Sequence, residues 1–151
     1  MTIKQESIHR ELAIQLFNET WDLIDNQNRT SDEDSQMLEK AYVSLYHWRQ
    51  VGTPLNLARG SWQISRVHAL LGHGDSSLMM AKQSLSICEE HGYADFDLAF
   101  ASEAIARAYA VKNQFEHSSE WIQKAQRDAE GIEKEEDRKY FHSELKTVPV
   151  K

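Results

Sequence analysis

Residues 64 to 85 read "ISRVHALLGHGDSSLMMAKQSL" and residues 105 to 126 read "IARAYAVKNQFEHSSEWIQKAQ", two copies of one pattern about 41 positions apart. Ser65, His68 and Gly72 fall on Ala106, Tyr109 and Asn113, and Ser77, Ala81 and Ser84 fall on Ser118, Ile122 and Ala125. Small residues at recurring positions let two helices cross closely, and Gly or Asn between them supplies a left-handed turn. Each copy therefore reads as helix, turn, helix. A shift of about 40 positions the other way matches Met37, Ala41, Ser44, Leu45 and Gly52 to Ser77, Ala81, Ser84, Leu85 and Gly92.

Working outward, almost every segment between the Gly-containing breaks has helical rather than alternating periodicity, and the chain has only two prolines, Pro54 and Pro149. The reading is all-α. A first helix is expected from about Glu6 to Asn26 and a second from about Asp32 to Val51, stopped by Gly52. Trp48 completes the apolar stripe of the second and is expected in the core. Thr53 and Pro54 read as an N-cap and first-turn proline opening a third helix with the stripe Leu57, Gly60, Ile64, Val67 and Leu71. A fourth helix ends at His91 and a fifth opens on Asp95 or Asp97, either of which can cap it. The sixth starts near Phe115. The charged segment "EKEEDRKYFHSEL" keeps Tyr140, Phe141 and Leu145 on one side and reads as a cap over the last hairpin. The chain thus divides into helix pairs at about 6–52, 54–92 and 95–131 with a cap at about 133–146, forming a single domain.

The two repeated strings resemble the tetratricopeptide repeat, a two-helix unit with small residues at its packing points. The shift exceeds the ~34 residues usual for that repeat, and residues 57 to 130 carry the resemblance better than residues 1 to 52. It implies a right-handed stack of antiparallel helix hairpins, about six helices plus a C-terminal capping helix. The strings "YHWRQVGTP", "RGSWQISRV" and "DFDLAFA" also resemble those of an uncharacterised bacterial family of such repeats. That resemblance brings no activity with it.

Composition narrows the partners. The chain has 151 residues, 24 acidic against 17 basic, and a net charge of -7, a field that repels phosphate backbones and anionic lipid surfaces. No nucleic acid or membrane partner is expected. The single cysteine, Cys88, falls in an apolar helical pattern, and no apolar run approaches the ~20 residues of a bilayer span. A reducing, cytoplasmic setting is expected.

If the third helix is the first of a repeat, the stack turns Arg59, Trp62, Gln63 and Arg66 to the concave surface, since i, i+3, i+4 and i+7 share a helix side. The alignment adds Phe100, Glu103 and Arg107 from the fifth helix, with Asp97 at the entrance. His9, Asn18 and Asp22 form a third wall from the first helix. Tyr46 and His47, with Tyr42 and Gln50, sit beside the turn into the third helix. Guanidinium forks suit a carboxylate or phosphate, and Trp62 offers a flat apolar surface. The alternative stands beside this one: Arg59 or Arg66 pairs with Glu103 or Asp97 and locks one repeat to the next.

No chemistry-bearing motif appears. The seven histidines include no i, i+3 or i, i+4 pair, and there is no Gly-rich phosphate loop, nucleophile elbow or spaced Cys pair. His68 aligns with Tyr109 and reads as a packed, hydrogen-bonded residue. No metal and no cofactor is expected. The sequence points to a binding module holding a peptide segment of a protein partner, or a small anionic ligand, on its concave face. An enzyme or small-molecule sensor with an enclosed pocket between helices 1, 2, 3 and 5 is the alternative. The short stack also leaves terminal faces for a possible homodimer.

Overall fold

The computed structural model describes residues 1–151 as seven helices and no strand. They are α1 (Ile3–Asp25), α2 (Ser31–Val51), α3 (Pro54–Leu70), α4 (Gly74–His91), α5 (Asp95–Val111), α6 (Phe115–Ala129) and α7 (Glu135–Leu145). The first three begin alike. Thr2, Thr30 and Thr53 each accept a hydrogen bond from the backbone N–H three residues on, while the side-chain oxygens of Gln5, Glu33 and Asn56 accept one from the backbone N–H of the cap residue. These capping boxes satisfy donors that an open helix end would leave unpaired. They place the start of α1 three residues before the expected Glu6.

The fifth helix starts at Asp95, one of its two expected starts, but neither aspartate caps it. Its N-cap is Ala94, with no side-chain cap, and Asp95 lies inside the helix at φ 64°. The Asp95 carboxylate instead accepts from the backbone N–H groups of Phe96 and Glu133 and ties the start of α5 to the approach to α7.

The internal repeat reappears as hydrogen bonds. Ser77 donates to the Ser65 carbonyl at 2.9 Å, and Ser118 donates to the Ala106 carbonyl at the same distance one repeat later. Ser44 and Ser84 do likewise to Ala13 and Ala58, at 2.7 and 2.8 Å. All four serines are buried, so each hydroxyl both lets its hairpin close and finds an acceptor there. The left-handed turns fall on Gly72, Gly92 and Asn113, at φ 79°, 69° and 59°.

Each helix packs on the next, α1 with α2, α3 with α4 and α5 with α6 most extensively. Beyond those neighbours, α3 touches α1 and α5, and α5 touches α7, whereas α2, α4 and α6 do not touch one another. One layer closes up while the other splays, so the stack curves with the odd-numbered helices on the inner side. The contact between α1 and α3 is slight. A gap therefore opens along the inner layer there.

The core is three clusters in stack order: Met37, Leu45, Ile64 and Val67 at the first hairpin, Ala81, Leu85 and Ile105 in the middle, and Phe100, Ala125, Ile132 and Phe141 at the last. Trp62 packs against the second and third of these. The cap α7 buries Phe141 and Leu145 over α5 and α6, as its apolar side predicts, and the segment that follows it buries Val148. It also lies beside α5 in the inner layer and adds a wall that the sequence reading did not place there.

Candidate functional site

The gap between α1 and α3 is a cavity of about 220 Å³ lined by Phe17 and Trp21 of α1, Ala58, Arg59 and Trp62 of α3, Ser84 of α4, Phe96, Asp97 and Phe100 of α5, and Tyr140 of α7. Six of these ten residues are aromatic. Trp62 is the hub, with ring centroids 5.3 Å from Trp21 and 5.4 Å from Phe100. Phe96 lies 4.6 Å from Phe100 and nearly parallel to Tyr140, 6.4 Å away. A second cavity of about 150 Å³ adjoins the first through the shared residues Phe17 and Arg59, and adds Ile14, Asn18, Trp48 and Asn56. Trp48 is thus a half-buried wall of this groove rather than the core residue its stripe suggests.

Every expected arginine has a carboxylate partner within the chain. Arg59 makes a two-pronged pair with Asp97, Nε to Oδ1 at 2.9 Å and Nη2 to Oδ2 at 3.1 Å. That hydrogen-bonded pairing raises the Arg59 pKa against the opposing effect of burial. Arg66 reaches Glu103 at 3.4 Å and Glu144 at 3.6 Å, with its guanidinium 5.9 Å from the Trp62 ring. Arg107 holds Glu103 Oε1 at 2.7 Å and donates to the Glu144 carbonyl and the Thr147 hydroxyl of the C-terminal segment. Burial pulls the Arg107 guanidinium down from its ordinary value, against the pull of Glu103.

The expected face is therefore split. Phe100 and Glu103, read as exposed on the inner surface, are 3% and 0% exposed, because α7 lies against α5 and Glu103 is the centre of the ion-pair cluster that secures it. Gln63 is buried too, and donates from Nε2 to the Phe17 carbonyl at 2.9 Å, bridging α3 to α1. Trp62, Arg59 and Asp97 do line the cavity. Two buried polar atoms lack any partner, the Trp62 indole nitrogen and the Gln63 carboxamide oxygen.

Tyr46 and His47 do not reach the cavity. They sit between α2 and α1, where His47 Nδ1 lies 2.8 Å from His9 Nδ1 and Tyr46 is more than half exposed. Burial, and then His9, pulls the His47 pKa below its usual value. A second imidazole contact joins His68 to His73 at 3.0 Å, with the Tyr42 hydroxyl 2.8 Å from His68 Nε2. His68 is a packed, hydrogen-bonded residue, as its alignment with Tyr109 suggests. Neither pair follows helical spacing, and neither was legible as a pair in the sequence. Nowhere do three His, Cys, Asp or Glu side chains gather as metal ligands.

Sequence reasoning missed Phe17, Trp21, Phe96 and Tyr140 as cavity residues. Phe17 and Trp21 belong to an apolar stripe that reads as core, and Tyr140 comes from the cap. The fold and cavity together define the class: an all-α stack of helix hairpins with an aromatic-walled cavity in its inner layer. No protein-family model, curated protein or solved structure matches the chain. No helix is long and apolar enough to cross a membrane.

Proposed function

We propose that the chain is a tetratricopeptide-like binding module that holds a peptide segment along its inner layer, with one side chain of the peptide in the aromatic cavity. The observation that carries this reading is the cavity itself, an apolar chamber open to the inner face at the one place where adjacent inner helices barely touch. Concave, mostly apolar sites with a few fixed polar groups are the usual form of a binding pocket. The chemistry of the rim is that of recognition: paired charges and amides, with no nucleophile beside a base.

A small anionic ligand is the second reading, and one observation favours it: the Arg59 side chain is 51% exposed beside the cavity. Such a ligand would compete with Asp97 for that guanidinium. The enclosed-pocket alternative names α2 as a wall, whereas the aromatic cavity is lined by residues of α1, α3, α4, α5 and α7.

The test is tryptophan fluorescence of the whole chain, since Trp21 and Trp62 line the cavity and Trp48 the adjoining groove. The titrants are acetyl-Ala-Ala-X-Ala-Ala-amide peptides in which X runs through the natural side chains. Saturable binding of some but not all, weakened at least severalfold by Tyr140→Ala, is the expected result. A flat response to every peptide at millimolar concentration overturns the reading.

A further inference from the structure

We propose that the side chain taken into the cavity is a lysine, N-methylated lysine included, whose ammonium group lies against the aromatic walls. This rests on the peptide-binding reading above and names what that pocket selects. Aromatic rings carry negative faces, and an ammonium group is attracted to them most where water is excluded. Six rings from four helices converge here, and the site already uses this interaction once, with the Arg66 guanidinium set over Trp62.

The local charge agrees. Arg59 and Asp97 are the only charged residues in the lining, and they neutralise each other. Around them stand the carboxylates of Glu144, Glu103 and Asp25, the last near enough to Tyr140 to act with burial and Glu144 in raising its phenol pKa. Arg66 and Arg107 are engaged with Glu103 and Glu144, and the chain as a whole carries a net charge of -7. Such a field draws cations toward the inner layer and repels anions. Arg59 is the exposed member of its pair, at 51% against 17% for Asp97, and an incoming ammonium would compete with it for the Asp97 carboxylate.

The adjoining groove favours a peptide over a free amine. It continues the cavity past Phe17 and Arg59 toward the amide of Asn18 and the NH2 of Asn56, whose Oδ1 serves the Thr53 cap, and these suit the backbone on either side of an inserted residue. A free quaternary amine would leave that groove unused.

The experiment measures the same fluorescence with acetyl-Ala-Ala-X-Ala-Ala-amide, where X is lysine, trimethyl-lysine, norleucine or glutamate, and with tetramethylammonium chloride alone. Trimethyl-lysine and lysine peptides are expected to bind about tenfold or more tightly than the norleucine peptide, whose uncharged side chain lacks the ammonium group, a preference within the usual range of a desolvated cation on aromatic rings. The glutamate peptide is expected to leave the signal unchanged. Tyr140→Ala, checked for helicity by circular dichroism, is expected to erase most of the preference, and Asp97→Asn to reduce it. Equal binding of norleucine overturns the lysine assignment and leaves the peptide reading standing. Tighter binding of the glutamate peptide also overturns the assignment and returns the site to the anionic reading. Tetramethylammonium binding as tightly as the trimethyl-lysine peptide shows the source to be a free amine and overturns the assignment to a peptide. A flat response to all five overturns both this inference and the reading on which it rests.

Discussion

Glu103 is the residue on which the inner layer is pinned. It is fully buried, with one carboxylate oxygen on Arg107 and the other on Arg66, whose own side chains are only 12% and 10% exposed. Removing one member of a buried pair leaves the other charges without a partner, so Glu103→Ala is expected to cost about 3–5 kcal/mol of stability. Urea denaturation of the variant checks this, and a loss below about 1 kcal/mol would show the cluster to be solvated like a surface pair. Two histidines set the response to acid. His47 and His68 both have pKa values lowered by burial first and a neighbouring imidazole second. In the unfolded chain they take up protons at their ordinary value of 6.5 while the folded chain resists. Stability is therefore complete above pH 6.5 and declines as pH falls through that value toward the lowered folded-state pKa. Urea midpoints at pH 7.5 and 5.5 should show the decline, and His68→Gln should make it shallower. An equal decline in the variant would assign the effect to other groups. Cys88 is fully buried, and burial, then Asp97 and Glu89, pushes its thiol up to about 11. It should resist thiol reagents at pH 8 in the folded chain and react at once in urea.

Among the elements, α7 decides most and was the hardest to read. Its sequence is highly charged, yet Phe141 is fully buried among Phe100, Ala106 and Ala125, and Tyr140 closes one side of the cavity. Three links hold it: Phe141 in the core, the Arg66 to Glu144 pair, and Arg107 bonded to Glu144 and Thr147. Phe141→Ala is expected to cost about 3–5 kcal/mol, as large-to-small changes at fully buried aromatics do. Hydrogen exchange should then rise in α7 before it rises in α3 or α4. Uniform loss of protection along the chain would mean that α7 is not a separable element. The aromatic signal for this wall was present in "KYFHSEL", but the side chain that faces the core and the one that faces the cavity are neighbours in sequence. Only docking against α5 separates them.

At the scale of the whole molecule, the stack is held by neighbours. Its three core clusters succeed one another along the chain, and the outer helices make no contact beyond the adjacent pair. Stability in such an arrangement is close to a sum of local hairpins and their interfaces. Met37→Ala, at a fully buried position of the first hairpin, should cost about 2–5 kcal/mol. Most of the lost protection should fall in α1 to α3, with α5 to α7 retained. An even loss would show that the chain unfolds as one cooperative body.

The sequence by itself determined the helices, their turns and their pairing. Periodicity, the Thr and Gly boundary residues and the repeated small residues are local or nearly local in effect, and Gly72, Asn113, Ser77 and Ser118 do in the structure what their spacing implies. It also picked out Arg59, Trp62 and Asp97 as neighbours, because the repeat alignment relates α3 to α5. Only the tertiary structure decided that the arginines are internally paired, that Glu103 and Phe100 lie under α7, that Tyr46 and His47 stand apart from the cavity, and that Phe17, Trp21, Phe96 and Tyr140 wall it. Those outcomes depend on how far adjacent inner helices open and where the last helix docks. Both are set by packing between residues far apart in the chain, which no periodicity within a single helix records.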